Sequence, residues 1–386
     1  MVIGKNSSLD SRIASVVVIL MAIGTALVFS AAANLSQSID LHHFYQFAPI
    51  RQILFLPLAC IILYAASTFN YKRFSAEKGW LKSPSIYLLI LATALLIIVL
   101  IPQFGTEINR ARRWLRILAG PVTISFQPSE LAKWALIIFL PAYCHKYQDS
   151  LHLYFKRFLP ACLIIGTIVG LVLIEDFGTA AFIALLSFLI LLIADTKLWH
   201  LLTPLPLAAV GFCAALFCQP SKLQRLAAFV HPHKFTGSAA YQANQSLIAL
   251  ASGGMFGKGL GRGICKYGHL PEDTTDFIFA IIGEELGFVG TAAVIVLFII
   301  FVWLGILIVI RCQDRFGRLL AAGIVLSIAV QAAINIGVVT VVLPTKGIPL
   351  PFVSAGGTSM LLSAAAVGVL MNIAKQSNQE EALLAQ

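Results

Sequence analysis

Charge is what this sequence has least of. Lys, Arg, Asp and Glu make up 11% of its 386 residues, against about 25% in an ordinary soluble domain. A chain so poor in charge cannot cover a water-facing surface. That excludes a soluble globular enzyme, a disordered protein and a disulfide-rich secreted module. The cysteines are uninformative: Cys60, Cys162 and Cys213 sit in apolar runs, where a thiol acts as a small hydrophobe. Cys218 and Cys265 could meet in one loop. No His/Cys cluster has zinc spacing, and His231 and His233 read as surface residues. Internal repeats and low-complexity tracts are absent, and no soluble basic domain is present to bind nucleic acid.

What the sequence has is apolar surface, 59% of its residues. A spanning helix needs about 20 mostly apolar residues. About ten such runs can be read, near 13–33, 48–69, 84–103, 129–145, 158–175, 179–195, 198–218, 277–310, 317–343 and 354–374. They are continuous rather than alternating, which argues against a β-barrel and makes sheet unexpected. The first run ends in Ala31-Ala32-Ala33, like a cleavage site, but its apolar stretch Ile13–Phe29 exceeds the 7–15 residues of a signal-peptide core and reads as retained. The expected fold is therefore all-α. It is a polytopic integral membrane protein, a single transmembrane domain over residues 1–386, with a long extracytoplasmic loop, about 219–276, between helices 7 and 8.

An even number of spans puts both termini on one side, taken as cytoplasmic. The formal charge is +10. On the inner side Lys and Arg are spread over short loops, as the positive-inside rule requires. On the outer side they are concentrated in 110–116 and 222–266. Cations placed against the rule suit an anionic ligand on the outer face, although long loops also translocate regardless of charge. Asn109–Arg116 carries Arg110, Arg112, Arg113, Arg116 and Trp114. Guanidinium groups recognise phosphate bidentately, and tryptophan favours the membrane interface. The loop 219–276 interleaves Gly253, Gly254, Gly257, Gly259, Gly261 and Gly263 with Lys258, Arg262 and Lys266. Glycines permit close backbone approach, and successive amides can cradle phosphate. The spacing excludes a Walker loop, and no strand precedes it for a Rossmann turn.

Glu272, Asp273 and Asp276 stand just before a long apolar run. Helix capping explains Asp273 or Thr274. Asp276 lies closest to the hydrocarbon, where desolvation raises a carboxyl pKa toward that of a general base at neutral pH. Capping and catalysis both remain open for it on spacing alone. Glu130 and Lys133 share a helix face and read as a structural ion pair. Glu175, Asp176, Glu284 and Glu285 are further charges in or at the ends of apolar runs, where charge is costly and faces a partner or cavity.

Several stretches together resemble the SEDS family of bacterial shape, elongation, division and sporulation proteins. They are Arg112-Arg113-Trp114, Ser125-Phe126-Gln127-Pro128-Ser129-Glu130-Leu131-Ala132-Lys133, Glu175-Asp176-Phe177-Gly178-Thr179, Leu270-Pro271-Glu272 with Thr275-Asp276-Phe277, Glu284-Glu285-Leu286-Gly287, and Pro351-Phe352-Val353-Ser354 with Gly356-Gly357-Thr358-Ser359. Leu343-Pro344-Thr345-Lys346-Gly347 is similar to the division branch rather than the elongation branch. The resemblance implies a peptidoglycan glycosyltransferase in the cytoplasmic membrane that polymerises lipid II on the outer face. Its implied partners are a class B penicillin-binding protein and other divisome proteins. Asp276 would be the catalytic carboxylate. Arg112, Arg113, Lys258 and Arg262 are candidates for the pyrophosphate, with Trp114, Lys346 and Ser354 as further substrate-binding positions. No resident cofactor is implied, though a divalent cation near the pyrophosphate is compatible with the pattern. The sequence departs from the family at Ala355, where Tyr is usual, and at Asp273-Thr274, where Ala-His is common. A lipid II flippase and a non-catalytic division scaffold are the competing functions.

Overall fold

The computed structural model describes residues 8–32, 48–77, 79–108, 111–119, 122–217, 238–265 and 274–384, with isolated positions between 223 and 229. Cys218, His231, His233, Lys266, Glu272 and Asp273 lie outside the described residues. The helices are α1 (Leu9–Ala32), α2 (Ala48–Thr68), α3 (Pro84–Leu100), α4 (Pro128–Lys146), α5 (Leu159–Glu175), α6 (Phe177–Ile193), α7 (Leu198–Leu202), α8 (Pro204–Phe217), α9 (Ser238–Gly253), α10 (Ile278–Arg311), α11 (Arg315–Val339) and α12 (Gly357–Leu384). Seven helical stretches are long and apolar enough to cross a membrane, and α3 and α6 are shorter apolar helices. Helix α4 occupies the remaining expected span. The chain is a multi-pass, mostly helical membrane protein.

Helix starts follow local chemistry. Ser83 caps α3 by accepting from Ser85 N, with Pro84 opening the first turn. Asp176 caps α6 by accepting from Thr179 N at 3.1 Å, and Asp314 caps α11 by accepting from Gly317 N at 2.8 Å. Helix α11 is central, packing against α10, α4, α6 and α12. Consistent with that position, it buries Ser327, Gln331 and Asn335 along with its apolar residues. Helix α8 lies at the periphery and exposes Leu205, Leu207, Val210 and Phe217, as a lipid-facing helix should. Helix α2 lies along α12. A Cβ on Gly368 would come within 2.4 Å of Leu63 O, so only glycine permits that approach.

Three findings differ from the sequence reading. The stretch after α3 is a three-stranded antiparallel sheet, β1 (Gly105–Ile108), β2 (Ala111–Ala119) and β3 (Val122–Phe126), in the order β1-β2-β3. The alternation Val122-Thr123-Ile124-Ser125-Phe126 forms a strand, too short to stand out beside the long apolar runs. The second difference lies in residues 219–276, which are not all loop: α9 packs along α10. Finally, α10 is two helical segments joined at Gly287, whose φ of 67° and ψ of −163° are non-helical. The run expected over 277–310 is thus broken near its start. Gly287 is required there, since a Cβ would meet Gly257 N at 2.4 Å and Met255 O at 2.6 Å.

Candidate functional site

Asp276 sits half-buried on the turn that leads into α10. This turn is clamped to the loop between α11 and α12. Ser354 Oγ donates to Thr275 O at 2.6 Å and accepts from Leu350 N at 2.8 Å. Ala355 N donates to Thr274 O at 2.9 Å. From α11, the Asn335 Nδ2 amide donates both to Asp276 O and to Ile348 O, each at 2.8 Å. The Asp276 carboxylate then lies against Gly347: a Cβ placed on that exposed glycine would stand 2.9 Å from Oδ2.

The neighbouring Lys346 extends across the start of α6. Its ammonium lies 5.3 Å from the Phe177 ring centroid. Burial lowers its pKa, and the Asp176 carboxylate opposes that shift by favouring the charged form. Asp176 also pairs with Arg113, at 3.6 Å between Oδ2 and NH1. The pairing depends on a bulge. Thr106 faces Trp114 while Glu107 faces Arg112, so Arg113 is the extra residue of β2. A bulge re-aims its side chain. Here it sends the guanidinium to Asp176 and, through Nε, to Glu175 O at 3.1 Å. Arg112 donates its backbone N to Glu175 Oε2 at 2.7 Å, and its side chain reaches Glu107 at 3.4 Å. Lys346 and Arg113 thus converge on Asp176, where β2, the start of α6 and the loop before α12 meet.

Beneath this surface lies a buried polar network. Lys133 Nζ pairs with Glu130 Oε2 at 2.8 Å and donates to Gln331 Oε1 at 3.0 Å. Ser359 Oγ donates to the same Glu130 oxygen at 3.0 Å. Gln331 passes the connection on, donating Nε2 to Pro349 O at 2.9 Å.

The structure brings Arg113, Lys346, Ser354 and Asp276 into one region, but gives some of the expected ligands other partners. Lys258 Nζ is bound to Glu284 Oε1 at 2.7 Å, and the Glu284 side chain is fully buried. That pair stands about 12 Å along α10 from Asp276 at 1.5 Å per residue, so Lys258 is placed apart from the Asp276 turn. Ser354 is buried and holds two backbone groups, so it positions the turn. The glycine-rich loop around Lys258 is held by backbone hydrogen bonds to α10. Lys258 N and Gly259 N donate to Glu284 O and Glu285 O, each at 3.0 Å, while Phe288 N and Val289 N return to Gly254 O and Met255 O. Glu284 also accepts from Ile264 N and Cys265 N, and Glu285 from Ser30 Oγ at 2.5 Å. The loop is zipped onto the α10 break. Arg262 is exposed on it, and Trp114 is half-buried on β2. Cys265 is a free thiol. Sequence reasoning missed Asn335, Gln331 and Gly347. The first two stand four apart inside an apolar run, a spacing that places both amides on one helix face.

The fold is that of a multi-pass, mostly helical membrane protein that carries a charged site where β2, the start of α6 and the loop before α12 meet. The family model described as "Cell cycle protein", covering FtsW, RodA and SpoVE, matches residues 11–379. The chain belongs to that family, in agreement with its motifs. "Probable peptidoglycan glycosyltransferase FtsW" of Coxiella burnetii is 36% identical over 374 residues, covering 96% of this chain and 97% of that one. "Stage V sporulation protein E" of Bacillus subtilis is 34% identical over 374 residues, covering 97% and 99%. Among solved structures, a chain from work described as "Structural coordination of polymerization and crosslinking by a peptidoglycan synthase complex" has a TM-score of 0.74 at 21% identity, covering 97% of this chain and all of that one. The Thermus thermophilus rod shape determining protein RodA has a TM-score of 0.65 at 23% identity, covering 95% and 96%. At these identities the two structures speak to the fold.

Proposed function

We propose that this protein is a peptidoglycan glycosyltransferase that polymerises lipid II during septal wall synthesis, with Asp276 as its general base. The observation that carries the reading is the Asp276 turn, fixed by Ser354 and Asn335 and lying against Gly347, next to Lys346, which shares Asp176 with Arg113. The Asp276 carboxylate takes the proton from the acceptor sugar hydroxyl as its oxygen bonds to the donor anomeric carbon. The anomeric C–O bond breaks, and the pyrophosphate leaves with the electron pair. A positioned base contributes about 10²–10⁴-fold. Lys346 and Arg113 supply cationic stabilisation as charge develops on the leaving group. A divalent cation accompanying the pyrophosphate is compatible with this reading.

In this reading the site faces outward and both termini face the cytoplasm. The partner is a class B penicillin-binding protein, a reading supported by the fold shared with a chain from a peptidoglycan synthase complex. The flippase reading is weaker. It needs a polar route between leaflets, but Glu130, Lys133 and Glu284 are paired and buried.

The test is glycan-chain formation from labelled lipid II by the purified protein with its transpeptidase partner, comparing wild type with Asp276→Asn. Polymer from wild type and none from the folded, partner-bound variant is expected. Near-normal polymer from the variant overturns the assignment of the base.

A further inference from the structure

Far from Asp276, a cavity of about 550 Å³ opens between the ends of α2 and α12. Ser67, Asn70, Asn372, Lys375, Gln376 and Gln379 line it. Helix α12 starts at Gly357, beside the loop that clamps the Asp276 turn. At 1.5 Å per residue, Gln376 lies roughly 28 Å further along the helix axis, close to the hydrocarbon thickness of a bilayer. The cavity therefore opens on the opposite membrane face from Asp276.

Its wall is built from fixed polar groups. Asn372 is buried, accepts from Tyr71 N at 3.1 Å and donates to Ser67 O at 2.9 Å. Gln376 donates to both Asn372 Oδ1 and Asn70 Oδ1, at 2.8 and 3.2 Å. These contacts hold the ends of the two helices at a set distance. Lys375 Nζ donates to Ser67 Oγ at 3.1 Å, and no carboxylate pairs with it among the described residues. An ammonium has three N–H groups, so two point elsewhere. The lining contains no Asp or Glu. Lys72 and Arg73 stand exposed on the adjacent turn Tyr71–Phe74. A half-buried cation with no carboxylate partner among the described residues, in a cavity of neutral hydrogen-bonding groups with further cations near the rim, is matched by a phosphate.

We propose that this cavity is a binding site for a phosphate-bearing anion, supplied by an anionic lipid headgroup of the facing leaflet or by a soluble phosphate compound. A cavity of this volume holds either.

The full-length protein is placed in nanodiscs of phosphatidylcholine alone or with phosphatidylglycerol. Its thermal unfolding midpoint is followed with and without inorganic phosphate, against chloride at matched ionic strength. Wild type is compared with Lys375→Gln and with Gln379→Glu. The second variant changes an exposed residue and sets a competing carboxylate four residues from Lys375. The chain's +10 charge gives a general response to anionic lipid that all three share, so the cavity is read from the difference. Both variants are expected to lose roughly tenfold in apparent affinity. Protection of wild type by phosphatidylglycerol alone assigns the lipid headgroup. Protection by inorganic phosphate in phosphatidylcholine assigns a soluble source. Equal responses from wild type and both variants, or no response of wild type to either source, overturn the proposal.

Discussion

The Asp276 carboxylate occupies the space that a side chain on Gly347 would take, with Oδ2 2.9 Å from the Cβ position. A methyl group there crowds one oxygen of the carboxylate assigned to proton transfer and forces a shift of the side chain. Gly347→Ala is therefore expected to lower kcat, by less than the cost of a misplacement near 1 Å, about 10²-fold. The thermal midpoint should change little, because the residue is exposed. A polymerisation assay alongside a melting curve checks both parts.

Asn335 ties the backbone of Asp276 to that of Ile348 through one amide. Asn335→Leu removes both donors and leaves two carbonyls to find new partners. A loss of about 1–3 kcal/mol of stability is expected, with a fall in kcat that exceeds any change in KM. A variant that melts earlier but polymerises at the wild-type rate would show that the turn holds without the bridge.

The Lys346 ammonium is disfavoured by burial, so its folded pKa lies below the ordinary lysine value of about 10.4. Between those two values the unfolded chain binds the extra proton, and stability rises with pH. Activity moves the other way, because the neutral amine cannot stabilise the pyrophosphate. An alkaline limb in kcat/KM below pH 10.4 is expected, and Lys346→Arg should shift it upward while keeping part of the rate. Superimposable pH profiles for the two proteins would remove Lys346 from the reaction.

Lys133→Ala strands the Glu130 charge in the bundle. Breaking a buried pair from one side costs about 3–5 kcal/mol, and Gln331 also loses a partner on the path to Pro349. A large drop in thermal stability is expected. Most of it should return in the double variant Glu130→Gln with Lys133→Met, which leaves no charge unpaired. An unchanged melting temperature for Lys133→Ala would show that the pair contributes nothing.

How much was legible depended on whether partners were close in sequence. Glu130 and Lys133 are three apart, so helix periodicity alone brings them together. Lys133 and Gln331 are 198 apart, and no local pattern could link them. The same holds for Lys258 and Glu284, 26 apart: each was visible as a charge, but not as a pair. The bulge at Arg113 was illegible for another reason. It is a defect in strand register, and register is set by the pairing of two strands rather than by either one.

By itself the sequence determined that this chain lies in a membrane as a set of apolar helices, because so little charge leaves no other stable solution. Its motifs also marked Asp276. Tertiary structure alone decided which cations remain for a ligand. Lys258 pairs with Glu284 at the α10 break, while Arg113 and Lys346 gather around Asp176. The physical reason is that a buried charge or hydroxyl must find a partner in three dimensions. Function falls to the groups left with capacity once those demands are met.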